Sequence, residues 1–170
     1  MADWVSVIIE PLAPERLGEL SAFINACWRE AYAGILPDEF LAGLTTEGRL
    51  PYLESKLSRG LVGALALDGA IAGVVMYGPS HFASLPAAGE VNLLYVRPDL
   101  IGQGLGHRLL VLAETVLAEQ GYPSFVLDVF SANTQAIDFY RRHGYAKVGD
   151  NIDQIEGATY PLDIMAKPVA

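Results

Sequence analysis

The chain has 170 residues; 52% are hydrophobic and 18% charged, which excludes intrinsic disorder, a property of polar, charge-rich chains. No apolar run reaches the roughly 18 residues of a membrane-spanning helix. Its 11 basic and 20 acidic residues leave a formal charge of −9, a field that opposes nucleic-acid and anionic-membrane partners.

The length suits one globular domain over residues 1–170. The opening Met1-Ala2-Asp3-Trp4 lacks the basic residues of a secretory leader, so the expected location is the cytoplasm. Val5–Glu10 is rich in β-branched residues and predicts a first strand stopped by Pro11. Pro14-Glu15 opens a helix whose buried face is Leu17, Leu20, Phe23, Ile24, Cys27 and Trp28. Cys27 is the single cysteine, which excludes an intrachain disulfide, and it reads as a small buried apolar residue. Tyr32 to Leu36 is a break, and Pro37-Asp38-Glu39 starts a second helix. Leu61–Leu67 and Ala70–Tyr77 are apolar runs joined by Asp68-Gly69, a hairpin signal in which both central residues take positive φ. A loop from Gly78 to Gly89 leads to a strand at Val91–Val96, closed by Pro98. After a glycine-rich turn, Leu105, Leu109, Leu112, Ala113, Val116 and Leu117 mark the buried face of a helix running to about Gln120. Ser124–Phe130 is a strand, and Asn133–His143 is a helix ended by Gly144. Tyr145–Val148 and Tyr160–Ala166 are two final strands. The middle of the chain thus alternates strand and helix, the order of an α/β crossover unit.

Two stretches carry chemistry. In the first, a strand ending at Val96 runs through Pro98 into Gly102-Gln103-Gly104-Leu105-Gly106-His107 and then a helix. Alternating glycines let backbone approach a ligand, and the following helix start offers unpaired N–H groups and a positive dipole end. Together they predict an anion cradle that needs no basic side chain. A plain tight connection is the rival reading. The spacing departs from a dinucleotide G-x-G-x-x-G, and the Gly-Lys-Ser/Thr of a triphosphate loop is missing. In the second stretch, Asn133, Ala136, Ile137 and Tyr140 share one helix face, with Asn133 placed to cap it. His81, His107 and His143 show no metal-ligand spacing, and Ser80 lacks a nucleophile-elbow pattern.

With both stretches in view the chain resembles the GNAT superfamily of acetyl-CoA-dependent N-acetyltransferases. Its Ile101-Gly102-Gln103-Gly104-Leu105-Gly106 is similar to the family's [Q/R]-x-x-G-x-[G/A] cofactor motif. Asn133, Ala136, Phe139, Tyr140, Gly144 and Tyr145 match a second motif, N-x-x-A-x-x-F-Y-x-x-x-G-[F/Y]. One departure is Ile101, where the family usually has Gln or Arg. Arg97, His107, Arg108, Arg141 and Arg142 are candidates to replace that partner at the cofactor's phosphates.

The resemblance implies an α/β fold: a mixed, mostly antiparallel sheet of about seven strands, flanked by about four helices and splayed between the fourth and fifth strands. It implies acetyl-CoA as acyl donor, no metal, and direct attack by a primary amine of a small molecule or peptide within a ternary complex; a homodimer is common in the family. Its cofactor-binding positions fall on Leu94, Tyr95, Val96, Gly102, Gln103, Gly104, Leu105, Gly106, His107, Asn133 and Tyr140. Tyr140 is the expected general acid, since a phenol is protonated at pH 7. Glu90, sharing a strand face with Asn92, is the expected base. Trp28, Tyr32 and Asn92 are expected to face the acceptor. A non-catalytic acyl-CoA sensor is the competing expectation.

Overall fold

The computed structural model describes residues 7–170; Val5 and Ser6 of the expected first strand lie outside the described residues. Its strands are β1 (Ile8–Pro11), β2 (Val62–Leu67), β3 (Ile71–Pro79), β4 (Gly89–Val96), β5 (Ser124–Phe130), β6 (Ala146–Ile155) and β7 (Ala158–Pro168). The helices are α1 (Leu17–Ala31), α2 (Asp38–Ala42), α3 (Thr46–Ser58), α4 (Leu105–Glu119) and α5 (Thr134–Arg142). One seven-stranded sheet runs β1-β2-β3-β4-β5-β7-β6. Every pairing is antiparallel except β4 with β5. Pro11 does not stop β1 but ends it, paired with Ala64; an edge strand tolerates the missing donor.

The sheet is covered on both faces. On one, Leu20 and Ile24 of α1 and Leu53 of α3 pack on Leu65, Val74, Met76 and Leu93. On the other, Leu105, Leu109, Ala113 and Leu117 of α4 pack on Ala64, Val75, Val91 and Leu127. Along β2 and β3 the two sets alternate, as period-two side chains require, whereas Val91 and Leu93 of β4 reach opposite faces because an extra residue lies between them. Leu112 and Val116, expected inside, are only partly buried, and Leu110 takes the interior position.

Four elements depart from the sequence expectation, one of them β6, which runs on to Ile155 instead of ending at Val148. Helix α3 is a fifth helix that apolar periodicity does not reveal. Its buried positions are Arg49, Leu53 and Lys56, so two of three inward residues are charged. Thr45 caps it, its side-chain oxygen accepting from Gly48 N at 3.0 Å. At the β2–β3 turn only Gly69 takes positive φ, +97°, and Leu67 pairs with Ile71, so the turn is not the expected two-residue type. That type occurs instead between β6 and β7, where Glu156 and Gly157 have φ +51° and +81°.

The site is made by a break in pairing. β4 and β5 pair in parallel only at Gly89↔Phe125 and Glu90↔Val126, then diverge. A register shift places Tyr77 opposite Val91 and Met76 opposite Leu93, leaving Asn92 as a bulged extra residue at the mouth of the fork.

Candidate active site

A cavity of about 840 Å³ fills the fork, walled by β4, β5, the 98–107 loop, α5 and the end of α1. Along β4 the backbone alternates between β3 and the open side. Arg97 N–H donates to Ala72 O at 2.8 Å. In the same register Leu93 and Tyr95 bond β3, so the N–H groups of Leu94 and Val96 point into the fork.

At one end lies the glycine loop. Gly102 and Gly104 have φ +82° and +90°, yet a Cβ at either would meet nothing within 4 Å, so the demand is torsional, not steric. At Gly106 a Cβ would lie 3.4 Å from Phe139 Cζ. The turn delivers Leu105, Gly106 and His107 as the first turn of α4, which carries no acidic residue there. Their backbone N–H groups and the dipole face the cavity end. Leu105's own side chain is fully buried in the core, and Gln103 turns away to donate to Asp99 O at 2.9 Å.

Of the basic candidates, Arg97 is committed elsewhere. It grips Asp68 with two hydrogen bonds, 3.0 and 2.8 Å, and Asp99 with a third at 2.7 Å. Arg141 pairs with Asp138, and Arg108 faces a shallower apolar depression outside the fork. His107, Arg142 and His143 do line the cavity, and Ile101 lines it exposed. His107 Nδ1 and His143 Nε2 are 2.9 Å apart, and His143 Nδ1 is 2.7 Å from Phe139 O. A carbonyl only accepts, so His143 Nδ1 donates to it, which leaves Nε2 as the atom that meets His107 Nδ1.

Midway stands Tyr140, whose phenol faces the cavity; burial pushes it above the usual tyrosine range. Asn133 lines the wall but spends its carbonyl capping α5, accepting from Ala136 N at 3.2 Å. Tyr95 Oη accepts from Trp28 Nε1 at 3.0 Å and lies 3.1 Å from Tyr32 Oη. Tyr32 and Tyr95 reach the cavity. Trp28 sits behind them, under the Arg49 guanidinium at 4.3 Å.

At the fork's mouth, Glu90 is 2% exposed and stands behind the wall. It accepts from His81 N at 3.0 Å, meets His81 Nδ1 at 2.7 Å, and accepts from Asn92 Nδ2. Asn92 lines the cavity; its Oδ1 is buried without a partner among the described residues. Opposite, Asp128 of β5 lines the same cavity, held by Asn151 Nδ2 at 3.1 Å. Burial raises its carboxyl above the ordinary carboxylate range, Asn151 opposing.

A model of the acetyltransferase (GNAT) family matches residues 21–145. This chain belongs to the GNAT acetyltransferase family. Spermidine N(1)-acetyltransferase of Thermoplasma acidophilum is 28% identical over 151 residues, covering 86% of this chain and 91% of that one. Peptidyl-lysine N-acetyltransferase YjaB of Salmonella typhimurium is 34% identical over 74 residues, 43% of this chain and 47% of that one. Among solved structures, PaiA N-acetyltransferase from Thermoplasma acidophilum with coenzyme A shares the fold at TM-score 0.72 and 23% identity, covering 96% of this chain and 99% of that one. A GCN5-related N-acetyltransferase from Rhodopseudomonas palustris reaches TM-score 0.77 at 21% identity, covering 96% of each.

In this GNAT N-acetyltransferase the expected residues separate into three groups. Leu94, Tyr95, Val96, Gly102, Gly104, Gly106, His107, Asn133, Tyr140, Tyr32 and Asn92 line one cavity. Leu105 and Gln103 turn their side chains away from it, and Trp28 and Glu90 lie behind its wall. Sequence reasoning passed over His143 and Asp128. His143 meets His107 only through the tertiary fold. Asp128 did carry a signal: a carboxylate interrupting the apolar run Phe125-Val126-Leu127-Asp128-Val129-Phe130, where burial is costly without a purpose.

Proposed function

We propose that this enzyme transfers the acetyl group of acetyl-CoA to a primary alkyl amine by direct attack within a ternary complex. The observation that carries the reading is the single fork cavity, in which the glycine loop, the free amides of Leu94 and Val96, Tyr140 and Asn92 all converge. One opening thus has room for donor and acceptor together.

Acetyl-CoA fits these residues: the glycines leave space at the helix start, and two backbone donors face the fork without a partner among the described residues. Its thioester supplies the acyl group. The 102–106 loop and the first turn of α4 hold the pyrophosphate with backbone N–H groups. The Leu94 and Val96 amides hold the pantetheine arm and polarise the carbonyl. A donor aimed at a developing oxyanion contributes about 3–4 kcal/mol in the transition state. Tyr140, kept protonated by burial, supplies a proton to the leaving sulfur. Glu90 serves the acceptor side by fixing Asn92.

The acidic surface balance and the presence of Asp128 on the wall favour a cationic acceptor. The names of the relatives, spermidine and peptidyl-lysine acetyltransferases, point the same way. The test is thiol release from acetyl-CoA with spermidine, a lysine-containing peptide and a free peptide N-terminus. Amine-dependent release is expected. Coenzyme A binding without release on any amine would overturn the reading in favour of an acyl-CoA sensor.

A further inference from the structure

The fork sets one position of β4 opposite one position of β5. The last paired residues are Glu90 and Val126. Two residues further along each strand stand Asn92 and Asp128, on opposite banks where the strands part, and both line the cavity. Their polar atoms are in unequal states. Asn92 presents Nδ2 to Glu90, which leaves Oδ1 as a buried acceptor without a donor among the described residues. Asp128 receives one neutral hydrogen bond, from Asn151, and no cationic side chain pairs with it among the described residues. Two acceptors short of donors, on residues that line one cavity, suit a group that carries several N–H bonds and a positive charge.

We propose that Asp128, with Asn92 Oδ1 across the fork, seats the acceptor ammonium and takes its proton. Glu90 is a positioning residue: its contacts with His81 and Asn92 hold the Asn92 amide in the required sense. The inference rests on the amine-acetylation reading above and names the base within it. The acceptor nitrogen gives one proton to the Asp128 carboxylate. Its freed electron pair forms the C–N bond as the C–S bond breaks and that pair leaves with sulfur. Tyr140 protonates the sulfur; the second nitrogen proton passes through water to restore the phenol, and Asp128 returns its proton to solvent. Burial raises the Asp128 carboxyl and so strengthens it as a base. The ionisable groups facing it are Glu90 on β4, His81 in the loop after β3, Asp153 on β6, Tyr52 and Lys56 on α3, and Tyr140 on α5.

The test compares Asp128→Asn and Glu90→Gln in the full-length protein, with spermidine and a lysine-containing peptide as acceptor probes, from pH 7 to pH 9.5. Asn retains an acceptor for Asn151; Asp128→Ser is the second variant if it fails to fold. Calorimetric titration with coenzyme A reports whether each variant keeps the donor site. The expected result is unchanged coenzyme A affinity and a kcat/KM about 100-fold lower at pH 7 for Asp128→Asn, within the range of general-base effects. The deficit should shrink at least tenfold by pH 9.5 as the amine deprotonates unaided, with a smaller, pH-independent loss for Glu90→Gln. A pH-independent deficit in Asp128→Asn, or one confined to Glu90→Gln, overturns the assignment while leaving amine acetylation standing. A wild-type protein that binds coenzyme A and acetylates neither probe overturns both.

Discussion

The Trp28 indole N–H donates to Tyr95 Oη at 3.0 Å, from the last turns of α1 to the end of β4. An indole nitrogen can only donate. The Tyr95 proton is therefore free for Tyr32 Oη, 3.1 Å away. Tyr95→Phe removes the indole's acceptor in a half-buried site and is expected to cost about 1–3 kcal/mol. Tyr32→Phe removes only the outer link and should cost about 0.5–1.5 kcal/mol. Thermal unfolding of the two variants, with the larger Tm loss in Tyr95→Phe, checks that Tyr95 is the central link of the chain; the opposite order refutes it.

At Gly104 a side chain has room but not the right torsion: φ is +90° and no atom lies within 4 Å of an added Cβ. Gly104→Val therefore strains or reshapes the loop, by about 1–2 kcal/mol, and displaces the amides of the α4 start. Coenzyme A affinity should fall at least tenfold, read by calorimetry. Wild-type affinity would show that the loop does not hold the cofactor.

Tyr140→Phe should lower kcat by roughly 100-fold, in the range of general-acid effects, with coenzyme A affinity nearly unchanged. Burial holds the phenol above the usual tyrosine range. It therefore stays protonated through pH 10, so the wild-type kcat should show no alkaline fall from this group. A kcat that drops between pH 9 and 10 in the wild type but not in the variant would contradict the assignment.

Asp128 links function to stability. Burial raises its folded-state carboxyl pKa above that of the unfolded chain. The unfolded state then releases its proton first, so stability falls as pH rises through the two values and stays lower above them. Asp128→Asn should be more stable than the wild type at pH 7, with the advantage vanishing below about pH 4, near the unfolded carboxylate value. Urea midpoints at both pH values measure it; equal midpoints at pH 7 would refute the penalty.

The His107–His143 pair occupies the cavity end where Ile101 supplies no polar side chain. His107→Ala or His143→Ala should weaken coenzyme A binding by about threefold to tenfold, the weight of one hydrogen bond. Ile101→Arg should strengthen it. Coenzyme A titrations at fixed ionic strength decide; no change in either histidine variant removes the pair from the phosphate site.

The parts of the site legible in the sequence are those encoded by neighbours in the chain. Glycines at 102 and 104 report positive φ values that side chains rarely adopt, and Thr134–Arg142 is a helix capped by Asn133 whose face repeats at 3.6 residues. Helix α3 escaped notice because Arg49 and Lys56 occupy its inward positions: Arg49 is bonded to Asn25 at 2.6 Å and Lys56 lies over Tyr52 at 4.3 Å. Those partners, absent from any local pattern, are what make charged residues acceptable inside.

The sequence by itself pointed to an anion cradle on an α/β framework, because strand, glycine turn and helix start are consecutive in the chain; acyl-CoA as the anion is what the family resemblance implies. The tertiary structure alone decided which β4 amides are free, that Glu90 stands behind Asn92, and that Asp128 faces the same cavity as Tyr140. These depend on where two strands 36 residues apart at their paired ends, Glu90 and Val126, stop hydrogen bonding. Where pairing ceases is set by packing across the whole sheet, which no short stretch of residues records.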